Sequence, residues 1–246
     1  MNLKPEVFPP ALPSELLSFI ISQCAYPTTL VICTSKADFI SGLVTDIRHQ
    51  TNPESDLSRT HQGGEPPHER PNPHEQSSSI ASDLLQAPLY QVAIARHIRL
   101  VFIPTVSHLR AFLSVFSPHD SKIPAPPETT PDGGPGKKLR LLLVYGFLDL
   151  HHYTSEWSAQ GLSSTAAILV EAGKRVDFQA IIVEARKAEG GDELAEFIPV
   201  LGGSARRMGL DMDEGVWSSR TVQVRRVLGR WFRFRSDEWE SGRARS

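Results

Sequence analysis

Apolar residues along this chain follow two spacings. Leu141, Leu142, Leu143, Val144 and Tyr145 form a short unbroken run. Such a run suits a central parallel strand covered on both faces. Residues 29–33, 98–103 and 180–183 form comparable runs and read as further strands. Between them the period lengthens. Ala159, Leu162, Ala166, Leu169, Val170 and Gly173 fall on one helical face, with Ser163, Ser164, Glu171 and Lys174 elsewhere. Residues 138–185 thus read strand, polar loop, helix, strand, a βαβ unit that closes in a right-handed crossover. The rest of the chain is organised around it.

The same two periods recur in the flanking segments. Ser14 is expected to cap a helix through Leu16, Leu17, Phe19, Ile20 and Ile21 that Tyr26-Pro27 stops. Phe39, Ile40, Leu43, Val44 and Ile47 make the apolar stripe of a second helix. A third is expected over 88–97, with Pro88 in its first turn, and a fourth through Leu109, Phe112, Leu113 and Phe116. A charged loop follows Val183, then a short helix over 193–197. The end alternates with period two, 221–224 and then 231–234 around a break at Leu228-Gly229, and predicts a terminal β-hairpin. The expected fold class is α/β, a mostly parallel twisted sheet flanked by helices, with a C-terminal β-hairpin.

Composition divides the chain. Residues 1–13 are proline-rich and read as an extended arm. Residues 14–235 read as a single domain carrying two insertions, about 48–79 and 117–137, and 236–246 as a polar tail. The insertions are rich in Pro, Gly, Ser and charged residues with almost nothing apolar, so burial cannot offset their ordering entropy and disorder is expected. The net charge of −2 argues against a globally basic nucleic-acid binder but leaves room for a local basic patch. Two cysteines, Cys24 and Cys33, exclude a disulfide framework and point to a reducing compartment. No apolar run approaches the ~20 residues that span a bilayer. The first residues, Met1-Asn2-Leu3-Lys4-Pro5-Glu6, lack the pattern of a signal peptide. A nuclear location is expected, with the cytoplasm as the alternative, and no membrane partner.

The ordered segments resemble the RecA-like recombinase ATPase core from its second strand onward. Residues 30–35 stand where that family has a strand ending near its catalytic glutamate. Residues 141–146 resemble its Walker B strand, 158–172 the long helix after it, 181–185 the next strand, and Gly202-Gly203 with the 220–234 segment the closing region. The chemistry of the family is missing from these positions. No Gly-x-x-x-x-Gly-Lys-Ser/Thr loop follows a strand and opens a helix. Gly136-Lys137 is followed by Lys138, Pro131 replaces the first glycine, and a strand comes next. The magnesium-linked aspartate falls at Tyr145, the catalytic glutamate near Ser35 and the polar sensor near Ala185. The resemblance therefore implies a degenerate RecA-like recombinase paralogue of the Shu-complex type, without ATPase activity, catalytic residues or cofactor. It implies a hetero-oligomeric subunit that binds a paralogous RecA-like partner and, jointly, DNA in recombination and repair. An accessory RecA-like subunit of Elongator, with tRNA as ligand in wobble-uridine modification, is the second expectation. A small-molecule enzyme on a doubly wound sheet, with ligands at strand carboxyl ends near Asp149, His151 and His152, is the third.

The candidate DNA contacts are Arg186, Lys187, Arg206 and Arg207, in loops after the last core strand, and Arg225, Arg226 and Arg230. The last three belong to a series with Arg220, Arg233 and Arg235, interleaved with Trp231, Phe232 and Phe234. Interleaved cations and aromatics suit a nucleic-acid surface or a protein interface. A plainer reading is a hairpin with Phe232 and Phe234 inward and the arginines in water. Edge-strand arginines also resist unwanted sheet pairing. His151 and His152, beside Asp149, point apart on an extended loop, and no further ligand stands at zinc spacing. Asp149, Ser155 and His151 lack the nucleophile elbow of a hydrolase. Cys33 reads as core, and His61, His68 and His74 lie in the first insertion.

Overall fold

The computed structural model describes residues 4–23, 26–51, 89–124, 140–187, 191–201 and 220–235. Its centre is one six-stranded sheet. The strands are β1 (Glu6–Val7), β2 (Thr28–Ile32), β3 (Ile98–Phe102), β4 (Leu141–Tyr145), β5 (Gln179–Val183) and β8 (Arg233–Phe234). They lie in the order β3-β2-β4-β5-β1-β8, and every neighbouring pair is parallel. β6 (Phe197–Pro199) and β7 (Thr221–Gln223) form a separate antiparallel pair.

The helices are α1 (Pro13–Gln23), α2 (Lys36–Thr51), α3 (Leu89–Ala95), α4 (Val106–Ser114), α5 (Phe147–His151), α6 (Ala159–Arg175) and α7 (Val224–Leu228). Alternation along the strands sorts the core into two layers. Val31, Val144, Leu142 and Ile182 pack on Leu109, Leu113, Leu162, Leu169 and Leu228. Leu30, Ile32, Leu143 and Ile181 pack on Leu16, Ile20 and Phe39. Every residue of β2, β4 and β5 is buried. Unbroken apolar runs are the sequence consequence of cover on both faces.

Several sequence-based expectations differ from the structure. The arm is extended, and Glu6–Val7 within it is a strand between β5 and β8. α1 begins at Pro13, and Glu15 reaches back to accept the Leu12 amide at 2.9 Å; Ser14 therefore lies inside the first turn. The α2 stripe is rotated: Phe39 is buried, but Ile40 and Val44 are exposed and Asp46 is buried. Asp46 accepts the Ser14 amide at 3.0 Å, so a polar tie to α1 outweighs the apolar stripe. α2 runs to Thr51, into the first insertion. The other insertion starts in ordered chain, with a 3-10 turn at Pro118–Asp120. Residues 52–88 and 125–139, most of both insertions, lie outside the described residues, as do Cys24 and the 236–246 tail.

A C-terminal antiparallel pair is present, but its members are 197–199 and 221–223. The segment after Gln223 does not return as its second arm. Val224, Val227 and Leu228 are buried at helical spacing in α7, so the 3.6-residue period wins over the period of two. β8 then pairs in parallel with β1, the Arg233 and Arg235 amides donating to Pro5 and Val7 carbonyls at 2.9 Å each. The short helix expected over 193–197 is a 3-10 turn, Glu193–Ala195, that leads into β6. The loop expected after β4 opens with helix α5, entered through Gly146 at φ 78°, a left-handed backbone that glycine adopts without strain.

Candidate functional site

Carboxyl ends of parallel strands are where ligands bind in open α/β sheets. In this chain β1 leads directly into α1, the strand-to-helix context in which a phosphate-cradling loop would stand. The connecting residues are Phe8-Pro9-Pro10-Ala11-Leu12-Pro13. Three prolines have no amide hydrogen. The Phe8 amide donates to Ile182 O and the Ala11 amide to Glu184 O, both at 2.9 Å. Leu12 and Ser14 donate to Glu15 and Asp46. Every amide of the connection is thus committed. Its carbonyls are held too: Ala11 O accepts the Arg186 amide at 3.1 Å and the Tyr145 hydroxyl at 3.0 Å. Tyr145 thereby clamps this loop.

Beside the connection lies a cavity of about 530 Å³, lined by Phe8, Pro10, Glu184, Lys187, Arg225 and Phe234 among others. The structure brings three of the predicted contacts, Arg186, Lys187 and Arg225, to this one cavity. They differ in what they are free to do. Arg186 pairs with Glu15 at 2.9 Å and donates to Pro10 O at 3.3 Å. Lys187 pairs with Asp149 at 2.8 Å and with Glu193. Hydrogen bonds to Asp149 and Glu193 push the Lys187 ammonium pKa up, so it stays charged. The Arg225 guanidinium lies over the Phe234 ring at 4.5 Å and has no ion pair among the described residues. Arg226 and Arg230 are exposed, on α7 and just after it, and are likewise unpaired there. Arg206 and Arg207 lie outside the described residues.

Sequence reasoning passed over Glu184 as a member of this site. It is buried, and both carboxylate oxygens accept the Leu148 amide, at 3.0 and 3.1 Å. Burial pushes its pKa up, opposed by that amide. Its signal was available: a lone acid immediately after an apolar strand. Arg235 and Phe8, stacked at 5.0 Å across the cavity wall, carried no comparable signal, since only β1–β8 pairing brings the two chain ends together.

The histidines have separate surroundings. His151 is buried on α5, with Nδ1 donating to Phe147 O at 2.7 Å and Nε2 hydrogen-bonded to Thr165 Oγ1 at 2.9 Å. Burial lowers its pKa to about 4. Arg110 completes the network, reaching Thr165 at 2.8 Å, Glu156 at 2.5 Å and Gly161 O at 3.0 Å. His152 instead packs against Tyr153 and Trp157. The two rings do point apart, although one sits on a helix. Cys33 is buried, and burial raises its thiol pKa. Among the described residues no group of three or more His, Cys, Asp or Glu is placed to hold a metal ion, and no helix is long and apolar enough to cross a membrane.

The fold and this site define a parallel α/β protein with a strand-to-helix passage whose amides are all hydrogen-bonded internally and a cavity lined by basic side chains beside it. Comparison with known families, with characterised proteins and with solved structures finds no match.

Proposed function

We propose that this chain is a non-catalytic RecA-like subunit of a homologous-recombination accessory complex, binding a related RecA-like subunit and, jointly with it, DNA. The observation that carries this reading is the β1–α1 connection. A nucleotide-hydrolysing loop presents free amides to phosphates, and here prolines and internal hydrogen bonds use up every one. That supports a binding role for the carboxyl end of the sheet. The resemblance to the RecA-like core supplies the kind of complex.

Within this reading the cations divide by their pairing. Arg186 and Lys187 are neutralised locally, whereas Arg225, Arg226 and Arg230 carry no ion pair among the described residues and are the ones available to phosphates. Anisotropy titrations of fluorescent DNA with the intact complex, over a salt series, test this. Arg225→Ala with Arg226→Ala should weaken binding and reduce the slope of log K against log salt by about 2, near one for each phosphate no longer neutralised. An unchanged affinity and slope would reject DNA contact through α7. The partner claim is tested by affinity purification of the tagged chain from its native cell. Recovery of RecA-like recombinase paralogues is expected. Recovery of Elongator subunits instead would transfer the role to tRNA modification.

A further inference from the structure

A second surface gathers aromatic and aliphatic side chains that the core does not use. Tyr153 is 96% exposed, in a left-handed backbone at φ 59°. A non-glycine residue in that region is strained and calls for a reason. Its ring meets His152 at 4.2 Å, and His152 meets Trp157 at 4.6 Å. His152 Nε2 lies 3.7 Å from Glu196, the residue before Phe197. Phe197 and Leu201 are 64% and 59% exposed, while Ile198 is buried; alternation puts Phe197 on the outer side of β6, and Leu201 follows two residues past its end.

The helix α6 joins these residues to a further aromatic. Gln160 exchanges two hydrogen bonds with the Leu201 backbone, at 2.8 and 2.9 Å. Three residues on, Ser163 accepts the Trp231 indole N–H at 3.1 Å. Residues at i and i+3 are neighbours on a helix surface, so Leu201 and Trp231 flank one stretch of α6. Two arginines stand beside these residues. Arg220 pairs through its carbonyl with the Val200 amide, beside Leu201, and Arg230 precedes Trp231. Both are exposed and have no ion pair among the described residues. The acid within the surface, Glu196, faces His152.

We propose that this face is the docking surface for an acidic partner segment carrying aliphatic or aromatic anchors. The inference rests on the reading of the chain as a partner-binding subunit and names the chemistry of the partner. An aromatic and aliphatic centre with arginines at its rim has the anatomy of a protein interface. A nucleic-acid surface would spread its cations along the path of the phosphates. Arg220 and Arg230, without an ion pair among the described residues, select an acidic occupant by charge complementarity.

The test titrates the full-length protein into three fluorescent probes: a peptide alternating Asp or Glu with Leu and Trp, its counterpart with Lys at the acidic positions, and a single-stranded oligonucleotide. The acidic peptide should bind and the basic one should not. Phe197→Ser and Leu201→Ser should each weaken the acidic peptide about tenfold, as for anchors of an interface. Arg220→Glu with Arg230→Glu should do the same without touching the apolar centre. Both sets alter exposed positions, and an unchanged circular dichroism spectrum checks the fold. Equal binding of both peptides, no binding of either, or insensitivity to all these variants overturns the proposal. Loss of oligonucleotide binding in Tyr153→Ala and Phe197→Ser, with no peptide binding, would make the face a nucleic-acid surface. Self-association abolished by Phe197→Ser would make a second copy the occupant. DNA binding that depends on Arg225 and Arg226 alone would leave the recombination role standing while this inference failed.

Discussion

His151 shows how one side chain links burial to pH. Its ring is fully enclosed and hydrogen-bonds Phe147 O through Nδ1 and Thr165 Oγ1 through Nε2. Its pKa falls to about 4 from an ordinary 6.5, chiefly through burial. Between these values the unfolded chain binds the proton and the folded chain does not. Stability from this group is therefore complete above 6.5 and is lost as pH falls towards 4, by about 3 kcal/mol. Chemical denaturation across that range should show the decline. In His151→Gln the slope should flatten, and stability at neutral pH should drop by about 1–3 kcal/mol because Thr165 and Phe147 lose a matched partner. An undiminished slope in the variant would assign the pH dependence to other groups. Glu184 acts in the opposite sense: its raised pKa means that the folded state favours its protonated form, so its charge becomes a cost as pH rises above 4.5.

At the scale of elements, α6 is positioned by a close approach. A Cβ on Gly161 would stand 2.2 Å from Glu156 O, a backbone atom that cannot rotate away. Gly161 also lies in the first turn, its amide donating to the Ser158 cap at 3.1 Å. Glycine here lets the 152–157 loop fold onto the helix, and that loop presents Glu156 to Arg110 and carries His152, Tyr153 and Trp157. Gly161→Ala should destabilise by roughly 3 kcal/mol or more through overpacking. Thermal unfolding measures this, and a variant as stable as the parent would refute the contact. The sequence pattern placed α6 and its apolar face correctly but held no sign of this contact, because Gly161 reads as a weak helix former until the loop is laid against it. α2 errs in the other direction. Its apolar positions are regular, yet Asp46 turns inward to Ser14, and no single-helix pattern contains the partner that decides this.

At the scale of the whole molecule, the two chain ends complete the sheet. β1 lies between β5 and β8, and Val7 is 1% exposed in the same core as Phe232 and Leu228. Val7→Asp would bury an unpaired carboxylate between two strands and should cost several kcal/mol. It should also loosen the C-terminal residues 232–235, detectable as faster amide exchange there than in β4. Protection unchanged in that segment would show that β8 is held independently of β1. The alternation of apolar runs and helical stripes was enough, read alone, to determine the α/β class and the strands β2, β3, β4 and β5. β2, β4 and β5 are covered on both faces, so burial leaves its mark on every residue, whereas β3 is a half-buried edge strand read from its apolar run and its flanking turns. The absence of a phosphate loop was equally legible, since that motif is local and contiguous. Tertiary structure alone decided the roles of residues 5–11, the parallel pairing of Arg233–Phe234, the pairing of β6 with β7, and the cavity that collects Arg186, Lys187 and Arg225. Each depends on residues far apart in the chain meeting through backbone hydrogen bonds, and a two-residue strand has too few side chains to announce its partner.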